Sequence, residues 1–234
     1  MMTPPIDAGL EAYVTRLFPK LNPIEQQISI ALYRLLAEGR PVARGVLAAQ
    51  VGLSPALVRE VLDNWYGVYY DAAGEIVGYR GLALKETSHR FRVRGRTLYA
   101  WCAWDTLFIP QILGVAAEIE SNCPVSGDAI RLIVTPYGVE AVEPASTVIS
   151  FVTPQQAELR ENIALHFCHF IHFFRSEGIA GDWIVRHPGT RILTLDKAWA
   201  LGREKNADQY DAVADIQDRS PAVHPMNPFF CCAK

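Results

Sequence analysis

Cys102 and Asp105 stand three residues apart in Trp101-Cys102-Ala103-Trp104-Asp105, and a second cysteine, Cys168, follows in Phe167-Cys168-His169-Phe170-Ile171-His172-Phe173-Phe174. Thiolate sulfur is a soft ligand that prefers thiophilic metals, and a carboxyl group can hand a proton to whatever such a metal releases. Two thiols and a proton carrier are therefore the parts needed to break a carbon–metal bond. Taken singly, each residue has a plainer reading. A free cysteine often serves only as a small buried hydrophobe, and an aspartate there can cap a helix or sit in an ion pair.

The flanking pattern says how these groups would be held. Leu98 to Trp101 reads as a strand leading into a helix over Asp105 to Leu113, which Pro110 would kink or divide. Cys102 would then lie at or near a helix N-terminus, where unpaired N–H groups favour thiolate over thiol. On a helix, the three-residue spacing would put Cys102 and Asp105 on one face. The Cys168 segment has an ambiguous period, and its aromatic content favours a strand. His166, His169 and His172 recur every three residues beside it, but a strand would split His169 from the other two, which disfavours a zinc site.

At these residues the chain resembles the organomercurial (alkylmercury) lyases of bacterial mercury resistance. Leu98-Tyr99-Ala100-Trp101-Cys102-Ala103-Trp104-Asp105-Thr106-Leu107 is similar to the family's first catalytic segment, and Phe167-Cys168 with Ile171-His172-Phe173-Phe174 to the second. Supporting matches are Gly39-Arg40-Pro41-Val42, the stretch from Tyr70-Asp71 to Gly78-Tyr79, Leu82 to Ser88, and Ala141-Val142-Glu143-Pro144-Ala145. The resemblance implies that Cys102, Cys168 and Asp105 are catalytic and hold mercury as substrate and product, with no cofactor. It implies thiol adducts of organomercurials as substrates, low-molecular-weight thiols for turnover, and a mercuric reductase as product acceptor. His169 stands where many members carry another cysteine, and Cys123 matches a family cysteine regarded as structural. Trp101, Trp104, Phe167 and Phe170 are candidates for an apolar lining. Cys231 and Cys232 lie outside the family pattern and are a candidate relay for the mercuric product.

Composition agrees with a globular, apolar-cored chain: 234 residues, half of them hydrophobic, with a formal charge of −3 that offers no overall signal for nucleic acid or anionic membrane. The five cysteines form no CxxC pair, and an odd number argues against a complete disulfide framework. With no secretory pattern at the start and no membrane-length apolar run, a cytoplasmic protein, monomer or homodimer, is expected. A reducing compartment would keep Cys102 and Cys168 as thiols.

The first third reads as helices followed by a hairpin. Asn22-Pro23 opens a helix over Ile24 to Ala37 that Gly39 ends; helical spacing resumes over Val42 to Gln50 and Pro55 to Asn64, with Ser54 as cap. Val68-Tyr69-Tyr70 and Glu75 to Tyr79 then flank a turn at Asp71 to Gly74. The expected class is α+β: a winged-helix-like domain over residues 1–95, then a catalytic domain over 96–234 built on a mixed, mainly antiparallel sheet with flanking helices. Such a start raises a rival, a metal-sensing transcription regulator, because Arg80, Lys85, Arg90, Arg92, Arg94 and Arg96 form a basic stretch. The plainer reading, that these arginines are a solvated strand face, is favoured. A non-catalytic mercury-binding protein is the other rival, and Asp105 argues against it.

Overall fold

The computed structural model of the chain describes residues 8–18, 20–213 and 216. It opens with helices α1 (Ala8–Leu17), α2 (Pro23–Leu36), α3 (Arg44–Val51) and α4 (Pro55–Asn64). Asn22 starts α2 by accepting the N–H groups of Ile24 and Glu25, each at 3.0 Å, while Glu25 accepts the Asn22 N–H at 2.8 Å. This reciprocal cap is worth about 1 kcal/mol. Ser54 Oγ caps α4 through the Leu57 N–H at 3.2 Å, with Pro55 in the first turn.

Eight strands follow: β1 (Val68–Tyr70), β2 (Ile76–Tyr79), β3 (Leu82–Ala83), β4 (His89–Val93), β5 (Arg96–Ala100), β6 (Ala117–Asn122), β7 (Ala129–Thr135) and β8 (Gly138–Glu143). They form one sheet in the order β1-β2-β3-β5-β4-β6-β7-β8, interrupted in sequence by helix α5 (Asp105–Leu113) between β5 and β6. The hairpin β1–β2 is the end of this sheet, since β2 goes on to pair with β3. A smaller sheet joins β9 (Val148–Val152) to β10 (Phe173–Phe174) and β11 (Thr190–Thr194), with helices α6 (Gln156–His166), α7 (Glu177–Arg186) and α8 (Leu195–Gln209) between and after its strands. The fold is α+β, and every strand pairing among the described residues is antiparallel. No single helix among them is long and apolar enough to cross a membrane.

Period-two burial explains which face of the large sheet is covered. Phe91, Val93, Ile119, Ile130 and Leu132 are buried, and α5 packs over β6 and β7. The alternate residues include arginines, and Arg90, Arg92 and Arg96 are answered by carboxylates. Arg90 meets Glu120 at 3.0 Å and Arg92 meets Glu118 at 3.2 Å across the β4–β6 pairing, and Arg96 meets Glu38 at 3.0 Å. These pairs stabilise the exposed face by little, but they leave Arg90, Arg92 and Arg96 neutralised rather than free to approach phosphate.

His89 on β4 is buried, with its Nδ1 2.7 Å from Ser121 Oγ, and burial followed by the neighbouring His172 pushes its pKa down to about 3. A base depressed in the native state contributes stability above its unfolded value near 6.5, and that contribution is lost as pH falls toward 3. The loss amounts to about 4 kcal/mol over that window. The melting temperature is therefore expected to fall as pH drops below 6.5, and His89→Gln should flatten that dependence in a calorimetric pH series.

Candidate active site

β5 delivers the chain to a four-residue turn, Trp101 to Trp104, and α5 begins at Asp105. Two carbonyls pin the turn. The Trp101 N–H donates to Gly81 at 2.8 Å, and the Ala103 N–H donates to Ile171 at 3.2 Å. The second bond ties the two cysteine segments together, because Ile171 directly follows the Cys168–Phe170 turn of 3₁₀ helix. That turn is held in its own right by Ser150 on β9, whose Oγ donates to the Phe170 carbonyl at 2.7 Å and accepts the His172 N–H at 2.9 Å.

The Sγ atoms of Cys102 and Cys168 and a carboxylate oxygen of Asp105 converge within 4.8 Å of one another, all buried. Among the described residues this is the one such cluster of His, Cys, Asp and Glu ligands. Asp105 reaches Cys102 differently from the expected helical face-sharing. Cys102 precedes the helix, and the Asp105 carboxylate turns back to accept the Cys102 N–H at 2.9 Å. α5 runs through Pro110 as a single helix rather than dividing there.

Two expectations about local structure are corrected. Cys168 lies on a 3₁₀ turn between α6 and β10, not on a strand, because the chain here must reverse to bring β10 beside β9. Nor is Cys102 a thiol acidified by a helix end. Burial, the hydrogen bond with Cys168 and the Asp105 charge together push its pKa well above the ordinary thiol value. For Cys168 the hydrogen bond with Cys102 pulls down, yet burial and Asp105 outweigh it and the pKa is raised. Asp105 is itself pushed up to about 6 by burial, against the hydrogen bonds with Cys102 and the Lys205 charge. The resting site is thus two neutral thiols beside a carboxylate with proton affinity near neutrality.

The expected lining divides. Trp104 and Phe167 form a buried aromatic cluster with Phe18, Phe108 and Phe151, with ring centroids 5.0 to 6.0 Å apart, and Trp104 Nε1–H donates to the Ala198 carbonyl at 2.8 Å. Trp101 instead packs edge-on against Tyr69 of β1, and Phe170 against His169 and His187. His172 Nε2 donates to the His169 carbonyl at 2.8 Å, so these histidines do not converge on Cys168. Cys123 is buried in the β6–β7 turn away from the cluster, and Cys231 and Cys232 fall outside the described residues.

A family model for alkylmercury lyase matches residues 82–206, which contain the whole cluster. The alkylmercury lyase of Pseudomonas putida is 42% identical over 173 residues, 74% of this chain and 80% of its own. The chain belongs to the alkylmercury lyase family. The alkylmercury lyase of Bacillus cereus is 39% identical over 199 residues, 83% of this chain and 89% of its own. A crystal structure of the mercury-bound form of MerB2 has a TM-score of 0.70 at 28% identity, covering 86% of this chain and 98% of that one.

In this alkylmercury lyase fold, one site contact escaped the sequence pattern. Gly81 lies at φ +103°, and a Cβ there would fall 2.4 Å from Asp105 Oδ1. Its only signal was a glycine preceding Leu82. Gly81→Ala is expected to displace the carboxylate and cost about 3 kcal/mol from backbone strain and crowding together. Denaturant melts and hydrocarbon release would check both effects, and unchanged turnover would refute the contact's importance.

Proposed function

We propose that Cys102 and Cys168 bind the mercury of an organomercurial and that Asp105 carries the proton that cleaves its carbon–mercury bond. The observation that supports the assignment is the convergence of two thiols and a carboxylate, all buried, within 4.8 Å. An incoming adduct R–Hg–SR′ exchanges onto one thiol, and R′SH leaves with that thiol's proton. Mercury bound to sulfur makes the second thiol far more acidic, so its proton passes to Asp105, whose raised pKa lets it accept one near neutral pH. Two thiolates now donate electron density to mercury and through it to carbon. Asp105 returns the proton to carbon, giving R–H and mercury(II) on the two sulfurs. The balance is R–Hg–SR′ plus two thiols giving R–H, R′SH and a dithiolate–mercury complex.

The raised thiol pKa values fit this sequence, since neutral thiols supply the proton that the carbon finally takes. The aromatic cluster of Trp104 and Phe167 supplies an apolar wall that excludes water from the reacting carbon. The same reading has low-molecular-weight thiols and a mercuric reductase drawing off the product in the cytoplasm. Headspace gas chromatography of reduced protein mixed with phenylmercury and excess thiol tests it. Catalytic benzene release is expected, and metal capture without benzene would overturn it.

A further inference from the structure

Lys205 is the buried lysine among the described residues, 4% exposed, and the chemistry above leaves it unused. Its position follows from a close helix crossing. Gly202 of α8 lies so near α5 that a Cβ on it would stand 2.6 Å from Phe108 Cβ. Three residues on, Lys205 Nζ sits 3.9 Å from the Phe108 ring centroid and 5.6 Å from that of Phe18. Its hydrogen bond goes to Asn206 Oδ1 at 3.1 Å; Asn206 is fixed in turn by donating to the Phe108 carbonyl at 3.1 Å and Gln111 Oε1 at 2.8 Å.

An ammonium has three donors, and here one amide oxygen and two ring faces receive it, with no carboxylate in ion-pair range among the described residues. A buried charge so poorly paired costs several kcal/mol, and an apolar side chain would fill the space without that cost. Once R–Hg⁺ is held by two thiolates the complex carries a net negative charge in a buried site. Asp105 lies one turn before Phe108 on the same face of α5, and Phe18 links Lys205 to Trp104 and Phe167 with centroids 5.7 and 6.0 Å away.

We infer that Lys205 is a positioning residue of the lyase reaction, its buried ammonium being the counter-cation for the anionic dithiolate–organomercury complex on Cys102 and Cys168. Low dielectric between them lets the charge act without contact. Burial, then the Arg80 charge, lowers the Lys205 pKa to about 7, and the Asp105 charge opposes them. A further negative charge on the mercury complex acts in the same direction as Asp105 and holds the ammonium protonated while the complex persists.

The inference rests on the thiol assignment above, and the test separates the two. Lys205→Met and Lys205→Gln both remove the charge while packing differently, so one remains informative if the other fails to fold. In single turnovers with a phenylmercury–thiol adduct, each should release benzene tenfold or more slowly, with KM within about threefold of wild type and a melting temperature no lower. Benzene release within about twofold of wild type by either folded variant would overturn the inference, as would a rate loss accompanied by an equally large loss of melting temperature. Cys102→Ser is measured alongside. If it turns over normally the thiol assignment fails and this inference with it; if it is inactive while the lysine variants are active, only the role of Lys205 is lost.

Discussion

Replacing either Cys102 or Cys168 by serine is expected to abolish hydrocarbon release, with a loss on the order of a thousandfold or more, about 4 kcal/mol of barrier. Serine is nearly isosteric, so the buried site should still form. What changes is the donor. A hydroxyl is hard and stays protonated near neutral pH, so it neither competes for mercury nor pushes electron density onto it. With a single sulfur the mercury-bound carbon stays a poor proton acceptor. The second consequence is weaker retention of mercury(II), readable by competition with a small dithiol. Normal turnover by either variant would end the two-thiol mechanism, whatever its effect on metal binding.

Asp105→Asn should separate catalysis from both metal binding and stability. The amide cannot shuttle the proton, so protonolysis is expected to fall by roughly 10² to 10⁴, while the two thiols still capture mercury(II). A protein that only stores mercury would lose nothing in this variant, because it never uses the proton. Stability should move the other way. Burial raises the Asp105 pKa to about 6, so the native state favours the neutral carboxyl, and this stabilisation is present below about pH 4 and lost as pH rises through 6. At neutral pH the ionised side chain therefore costs about 3 kcal/mol relative to a neutral one. Asp105→Asn is expected to melt higher than wild type at pH 7.5 and to match it near pH 4. A variant that melts lower at pH 7.5 would show that the carboxylate holds the Trp101 to Trp104 turn more than it burdens it.

The cross-strand ion pairs bear on the rival reading as a DNA-binding sensor. Arg90 and Arg92 each face a glutamate on β6, and Arg96 is matched by Glu38. A phosphate-binding surface needs clustered cations without partners, and these three arginines do not supply one. Helices followed by a hairpin carry no DNA-binding function by themselves.

The sequence alone determined the features that depend on near neighbours. Asn22-Pro23, Ser54-Pro55 and the turn at Asp71 to Gly74 mark α2, α4 and the β1–β2 hairpin, because caps and turns are satisfied within a few residues. Cys102 and Asp105 were legible for the same reason, as was the family through the segment that holds them. The strand assigned around Cys168 missed because aromatic and aliphatic residues suit any buried backbone, and the 3₁₀ turn is set by Ser150 and by the pairing of β10 with β9. Everything that depends on a distant partner waited for the tertiary structure. Spacing on a helix promised an acidic thiol at Cys102, but burial, the hydrogen bond with Cys168 and the Asp105 charge raised its pKa, an effect that no local pattern encodes. Phe18 against Trp104 and Phe167, and Gly81 against Asp105, come from places that sequence distance leaves unrelated to the site. Chemistry of the ligands is a property of residue types, whereas proximity, desolvation and charge are properties of what the fold packs around them.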